Sequence, residues 1–466
     1  MTKLRPALLI VLLCCAVLYL GGCLIIPSTP GEQGATTPVK PVAMTETPAS
    51  AAALPQPQPG TPMFYRARGP EARADHVPSE IIKGIPEDPR ASIAKLAAYL
   101  VSGTDDPFLQ VKTIHDWVAE NISYDFPAFA SNHFPSQGAA DILKSKIAVC
   151  EGYSALFSAL CTSVTIQNAV IHGYSRGYGS SVFVDDNPSA DNHAWNAVQI
   201  RGSWYLVDCT WDSGYIASNK FTRSYSTSYF FLQPEGMIFS HFPHETRWQL
   251  LDRPVSASQF VNLPYYEGGF FLAGFTPIAG MQRINPAGSQ VLLKIPVPPG
   301  LELGAALVSG DGRTLDTNAF AQRRGGEAEI SAAFPSAGKW ILRLFARGGS
   351  GGLFRGVCDI AYDASSWSPS SFPLQYNIFP TDGCFLFSPV SSPLKAGATA
   401  TFQVFLPGYK AAFVSAGDQR FTLAKSDTSD VFSGAFILPP ASQAILYASK
   451  GSLASYAGIL KYDVSQ

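Results

Sequence analysis

Apolar positions recur with a helical period over three early stretches of the chain. Ile93, Leu96 and Leu100 in ASIAKLAAYLVS fall at i, i+3, i+7, and Val111, Ile114 and Val118 in VKTIHDWVAE repeat that spacing. Tyr153, Phe157, Leu160 and Val164 fall at i, i+4, i+7, i+11 and predict a third helix over 150–164. Strand patterns follow in AVIHGY (169–174), HAWNAVQI (193–200) and WYLVDCTW (204–211). Helices followed by an antiparallel hairpin predict an α+β domain that closes near residue 255. Beyond it, short apolar runs such as SQVLLKIPV, KWILRLFA and QAILYAS alternate with Gly, Pro, Ser and Asp turns, the texture of β-sandwiches. Roughly 210 residues is too many for one seven-strand sandwich, so two are expected, with a seam at 365–372.

The first 62 residues read differently. Lys3 and Arg5 precede an uncharged apolar run over 7–20, which is short for a membrane span of ~20 residues and fits the core of a signal peptide. The run ends in Leu20-Gly21-Gly22-Cys23, which resembles the lipobox of bacterial lipoproteins. That resemblance implies a lipidated Cys23, membrane attachment and a place in the cell envelope. Residues 27–62 are dominated by Pro, Thr, Ala, Gln and Gly and predict an extended tether. The expected organisation is signal peptide 1–22, lipidated tether 23–62, helical lead-in 63–104, catalytic domain 105–255 and sandwiches over 256–366 and 367–466.

Composition narrows the picture further. With 46% hydrophobic and 15% charged residues, most of the 466-residue chain can bury a core, which excludes wholesale disorder. Thirty-three Lys and Arg against 35 Asp and Glu leave a net charge of −2, so no basic excess recruits nucleic acid. No P-loop or dinucleotide fingerprint follows any strand, and no cofactor is expected.

The chemistry-bearing candidates are a cysteine, a histidine and an aspartate. Cys150, Cys161, Cys209, Cys358 and Cys384 fall in the foldable region, and an odd number in an exported chain leaves a free thiol. Cys150 opens the third predicted helix, where unpaired N–H groups and the helix dipole favour thiolate and offer a donor to a developing oxyanion. If Arg201-Gly202 is a two-residue turn, Trp195 lies opposite Asp208, and His193 lies on the same face. A three-residue loop would separate them. A thiol, an imidazole and an orienting carboxylate are what thiol acyl transfer needs.

VCEGYSALFSALC followed by DNHAWNAVQIRGSWYLVDCTWDSGY resembles the transglutaminase-like superfamily of papain-type thiol enzymes, in the branch related to the kyphoscoliosis peptidase. IHDWVAENISYDF (114–126) and YFFLQPEGMIFSHFPHETRWQLL (229–251) are similar to that branch too. The resemblance implies Cys150 as nucleophile, His193 as general base and acid, and Asp208 as the orienting carboxylate. It also implies a transglutaminase-like domain followed by two immunoglobulin-like sandwiches. Papain-like relatives often carry a Gln shortly before the Cys as an oxyanion donor. Here that stretch reads Leu143-Lys144-Ser145-Lys146, and Tyr124 is the candidate substitute.

The remaining candidates carry blander expectations. Cys161 and Cys209 are expected in the core, and Cys358 and Cys384 either pair or lie buried as thiols. Trp195, Trp204 and Trp211 are expected to pack around the triad, with Trp195 a candidate for lining a substrate groove. Asp185, Asp186 and Asp191 in FVDDNPSADN match no EF-hand and are expected to be solvated. His115, His133, His172, His241 and His244 show no metal-ligand spacing with the cysteines, and no metal is expected. The expected function is hydrolysis, deamidation or amine transfer on protein or peptide amides at the cell envelope. The alternatives are a non-catalytic adhesion or scaffold lipoprotein and an amidase of peptidoglycan stem peptides, with cell-wall contact.

Overall fold

A computed structural model describes residues 61–66, 69, 74, 89–177, 182–348, 354–451 and 455–466. The predicted signal peptide, Cys23 and all but the last two residues of the tether lie outside the described residues. Two compact units are seen, Pro55–Arg283 and Ile284–Gln466.

In the first unit, helices α1 (Pro89–Val101) and α2 (Pro107–Asn121) come first, and α2 is buried throughout 111–119. Asp106 caps α2 by accepting from the Phe108 N–H at 3.1 Å, and Pro107 takes the first turn, where its missing N–H costs nothing. Two short parallel strands, β1 (Ser123–Tyr124) and β2 (Ile147–Ala148), flank α3 (Ala139–Ser145). Helix α4 (Cys150–Ser163) is the central helix. The three predicted apolar stripes meet in one core: Leu96, Leu100, Val111, Ile114, Val118, Tyr153, Phe157 and Leu160 are all buried there.

Behind α4 lies a four-stranded antiparallel sheet of β3 (Asn168–Ser175), β4 (His193–Ile200), β5 (Ser203–Val207) and β6 (His241–Pro243), in the order β5-β4-β3-β6. Ile200 pairs with Ser203 across a two-residue turn, with Arg201 at φ 52° and Gly202 at φ 84°. Positive φ at both positions matches the twist of the flanking strands. The strand read over 204–211 stops at Val207. Asp208 instead caps α5 (Cys209–Ser213), because its carboxylate accepts the Thr210 and Trp211 N–H groups at 2.8 and 3.1 Å.

Residues 256–283 belong to this compact unit. Their anchor is Arg176, whose buried guanidinium donates to the carbonyls of Phe239, Phe260, Leu263 and Pro264. The second unit is all-β, with strands whose buried and exposed positions alternate. In its first module Ile284–Ala287, Arg355–Ala364, Gly338–Gly348, Leu301–Ser309 and Thr314–Leu315 form one sheet, and Gln290–Pro296, Glu327–Ala333 and Ala319–Arg324 another. In its second module, strands from Leu374–Gln375 to Ala457–Ser465 enclose Phe402, Phe421, Phe436 and Tyr462, and the Phe421 and Phe436 rings stack at 4.1 Å. This mostly antiparallel region fits the expected immunoglobulin-like sandwiches. Cys358 and Cys384 are both buried and form no disulfide, so the thiol reading holds.

Candidate active site

Cys150, half-buried, is the first residue of α4. The first amide N–H groups of a helix have no acceptor inside it, so the sulfur sits at an electropositive helix end. Val149 before it is extended and has no side-chain cap of its own. Gln137 supplies one from outside: its Oε1 accepts the Val149 N–H at 3.0 Å, while its Nε2 donates to the Pro135 carbonyl at 2.9 Å. Gly152 makes room for this amide, since a Cβ there would lie 2.6 Å from Gln137 Oε1. Sequence reasoning missed Gln137, because it searched only the residues just before the cysteine. As oriented, the amide buttresses the loop entering α4.

His193 opens β4, and its Nε2–H donates to Asp208 Oδ2 at 2.7 Å. The other ring nitrogen is left for Cys150, whose hydrogen bond and charge both act on the imidazole. Burial by itself would pull His193 down; the Asp208 charge and hydrogen bond, with Cys150 adding, overcome it and push its pKa up to about 10. Burial would raise Asp208, yet the charge of His193 and the hydrogen bonds of two imidazoles hold it well below the usual carboxylate range. The pair therefore rests as imidazolium and carboxylate at neutral pH. The hairpin register brings His193 and Asp208 together, since Asn196 pairs with Val207 and sets Trp195 and Asp208 one step further along; Cys150 reaches His193 from the start of α4.

Tyr124 lies on β1, held against the strand that leads into the cysteine: Ser123 N–H donates to the Lys146 carbonyl and Asp125 N–H to that of Ala148. Burial first, and the neighbouring Cys150 second, keep its phenol in the protonated form. Trp195 does not fit a groove. It is 1% exposed and stacks beneath His193 at 5.9 Å, so it is the floor of the imidazole. Trp211 closes on His193 from another side at 5.4 Å. Cys161 and Cys209 are buried in the core as expected, and burial pushes both thiols up.

Two features depart from expectation. Asp186 is not solvated: its side chain is 4% exposed and accepts from Arg176, Arg283 and Tyr174 at 2.8–2.9 Å. Two guanidiniums thus neutralise this carboxylate and tie down the segment leading to His193. Asn192 continues the anchoring, its amide bridging the N–H and C=O of Ser175. His241 is the second departure, since its Nε2 also meets Asp208 Oδ2, at 3.1 Å. The ligand-type atoms of His193, Asp208 and His241 lie within 4.8 Å of one another. Both imidazoles hydrogen-bond the same carboxylate oxygen, Oδ2 of Asp208.

Behind α5 lies a second buried polar cluster. His115 is held between Asp116 at 2.9 Å and Asp212 at 3.1 Å, and Lys112 reaches Asp116 at 2.6 Å. Asp212 is one helical turn beyond Asp208, so this cluster anchors the helix that carries the orienting carboxylate.

Residues 94–209 match the transglutaminase-like superfamily. This fold and the thiol-imidazole-carboxylate site define the domain as transglutaminase-like. Among individual proteins, the chain is similar to the kyphoscoliosis peptidase of Homo sapiens, 30% identical over 266 residues, and to that of Mus musculus at 29%. These alignments cover 56% of this chain and 39% of those proteins, so the chain spans about two fifths of their length. Hillarin of Drosophila melanogaster is 32% identical over 136 residues, covering 27% of this chain and 17% of that one. A solved structure of a TGase aligns at 18% identity over 33% of this chain and 38% of the other, with a TM-score of 0.21.

Proposed function

We propose that this protein is a cell-envelope thiol enzyme that transfers acyl groups from protein or peptide amides, with Cys150 as nucleophile, His193 as base and acid, and Asp208 as orienting group. The observation that carries the reading is His193, hydrogen-bonded to Asp208 and coupled to the sulfur of Cys150. The thiolate attacks the amide carbonyl, and His193 protonates the departing nitrogen as the C–N bond breaks. The thioester then passes its acyl group to water, as a peptidase or deamidase would, or to an amine. Helix-end N–H groups of α4 stabilise the oxyanion, with the Tyr124 hydroxyl as second donor. Lipidated Cys23 holds the enzyme at the membrane.

Alkylation by iodoacetamide at neutral pH tests this. Cys150 should react far faster than Cys161, Cys209, Cys358 or Cys384, and His193→Ala should slow it about 100-fold. Equal, slow reaction of all five thiols would overturn the enzyme reading and leave a tethered scaffold. Incubation with a peptide library, with and without a free amine, then separates hydrolysis from transfer.

A further inference from the structure

Asp208 serves two imidazoles. His193 and His241 stand on strands either side of β3, at positions paired with Gly173 and Ser175. Paired and next-but-one positions share a face of the sheet, so both rings rise on the same side. The residue between them is a glycine. A Cβ at Gly173 would lie 2.3 Å from the Phe242 carbonyl oxygen and 3.0 Å from the Trp195 ring. The two imidazoles lie 5.3 Å apart between centroids and converge on one carboxylate oxygen.

The hydrogen bonds around His241 run in one direction. A carboxylate only accepts, so Nε2 of His241 carries the proton given to Asp208. In the neutral ring Nδ1 accepts from the Ser240 hydroxyl at 2.8 Å, a hydroxyl that also lies 3.4 Å from the Met237 carbonyl. Ser240 is in turn hydrogen-bonded to the Tyr229 phenol, whose oxygen accepts the Gly268 N–H at 2.9 Å. The titratable groups facing the ring are Asp208, His193 and Tyr229, and the indoles of Trp195 and Trp211 fill the remaining sides at 5.0 and 4.5 Å. Burial, helped by the charge on His193, pulls His241 down to about 4 against the pull of Asp208. One carboxylate thus meets one charged and one neutral imidazole.

Resting on the thiol-enzyme reading above, we infer that His241 is a positioning residue of the site: a neutral imidazole whose Nε2–H clamps Asp208 Oδ2 beside His193. The clamp acts with the α5 cap. Thr210 and Trp211 N–H hold Oδ1, so His241 completes a set of donors that fixes both oxygens and leaves the carboxylate no freedom to turn from His193. It also disperses part of the carboxylate charge, which tempers the pull on the His193 proton.

Two variants and one spectrum test this on the full chain. His241→Phe keeps an aromatic ring in the box and removes the donor, whereas His241→Gln retains an N–H. In the Phe variant, plateau alkylation of Cys150 should fall about tenfold, and the alkaline limb of its pH profile should move up by about half a unit, since an under-bonded Asp208 grips the His193 proton harder. The Gln variant should restore both to within about twofold. A folded Phe variant with wild-type rate and profile, or a Gln variant no better than Phe, overturns the inference. Long-range ¹H–¹⁵N spectra of the unmutated protein decide the matter without a fold risk: His241 should show the neutral Nε2–H tautomer throughout pH 5–9. An Nδ1–H tautomer, or protonation within that range, overturns it. If wild-type Cys150 proves inert, the enzyme reading fails instead, and the spectra still test the clamp on Asp208.

Discussion

At the scale of single residues, the site is a set of donors arranged around two charges. His193 is cationic because Asp208 outweighs its burial, and Asp208 stays anionic because the His193 charge first, and hydrogen bonds to its oxygens second, outweigh its own burial. The oxyanion side is less crowded, with helix-end N–H groups and the protonated Tyr124 phenol beside the sulfur. This arrangement separates two measurements. Tyr124→Phe should leave iodoacetamide alkylation of Cys150 within about twofold, since that reaction builds no oxyanion, yet lower amide turnover about 100-fold. Equal losses in both would remove Tyr124 from the oxyanion role. Cys150 was legible as a helix start, and His193 with Asp208 as one face of a hairpin, while their joint role was implied by the family resemblance. Gln137 and His241 were not. They come from other segments and meet the site only after the chain has closed on itself.

At the scale of elements, close approach of strands and helices sets the geometry. Gly173 is the plainest case, since β6 can lie against β3 only where no side chain intervenes. Gly173→Ala should cost about 3 kcal/mol in urea denaturation, from steric displacement of β6. It should also slow Cys150 alkylation, because His241 moves with that strand. An Ala variant with unchanged denaturation midpoint would show that the edge strand yields freely. The hairpin was readable because a two-residue Arg-Gly turn fixes parity over a few residues. The short helix after it was not, because Asp208 has the same extended backbone, φ −126°, whether it ends a strand or caps a helix. Only the position of the Thr210 and Trp211 N–H groups distinguishes the two.

At the scale of the whole molecule, the buried histidines tie stability to pH. His241, with a folded pKa of about 4 below the ordinary 6.5, binds its proton more readily when unfolded. Stability should therefore fall as pH drops from 6.5 toward 4, by up to ~3 kcal/mol. His193, raised to about 10, acts in the opposite sense, and its contribution should be lost as pH climbs from 6.5 through 10. Urea denaturation of the full chain across pH 4–10 should give a maximum near 6.5. A profile flat from 4 to 6.5 would contradict a neutral, buried His241. The N-terminal reading has its own test: the mature protein should enter the detergent phase on Triton X-114 partition, and Cys23→Ser should shift it to the aqueous phase. Among the described residues, no helix is long and apolar enough to cross a membrane. A Cys23→Ser protein that still enters the detergent phase would refute lipidation at that residue.

What the chain determined by itself was short-range. Periodicity placed α1, α2 and α4, turn chemistry paired His193 with Asp208 on one face, and a helix start placed a thiol where N–H groups are unpaired. These follow from spacing along the backbone and need no distant partner. Tertiary structure alone decided which groups complete the site. It brought His241 onto Asp208 beside His193, turned Gln137 into the Val149 N–H, and buried Asp186 between Arg176 and Arg283 in a loop whose composition suggested solvent. Each is a contact that no local period or turn dictates, selected by the need to satisfy a buried polar group, and that need exists only once the fold has excluded water.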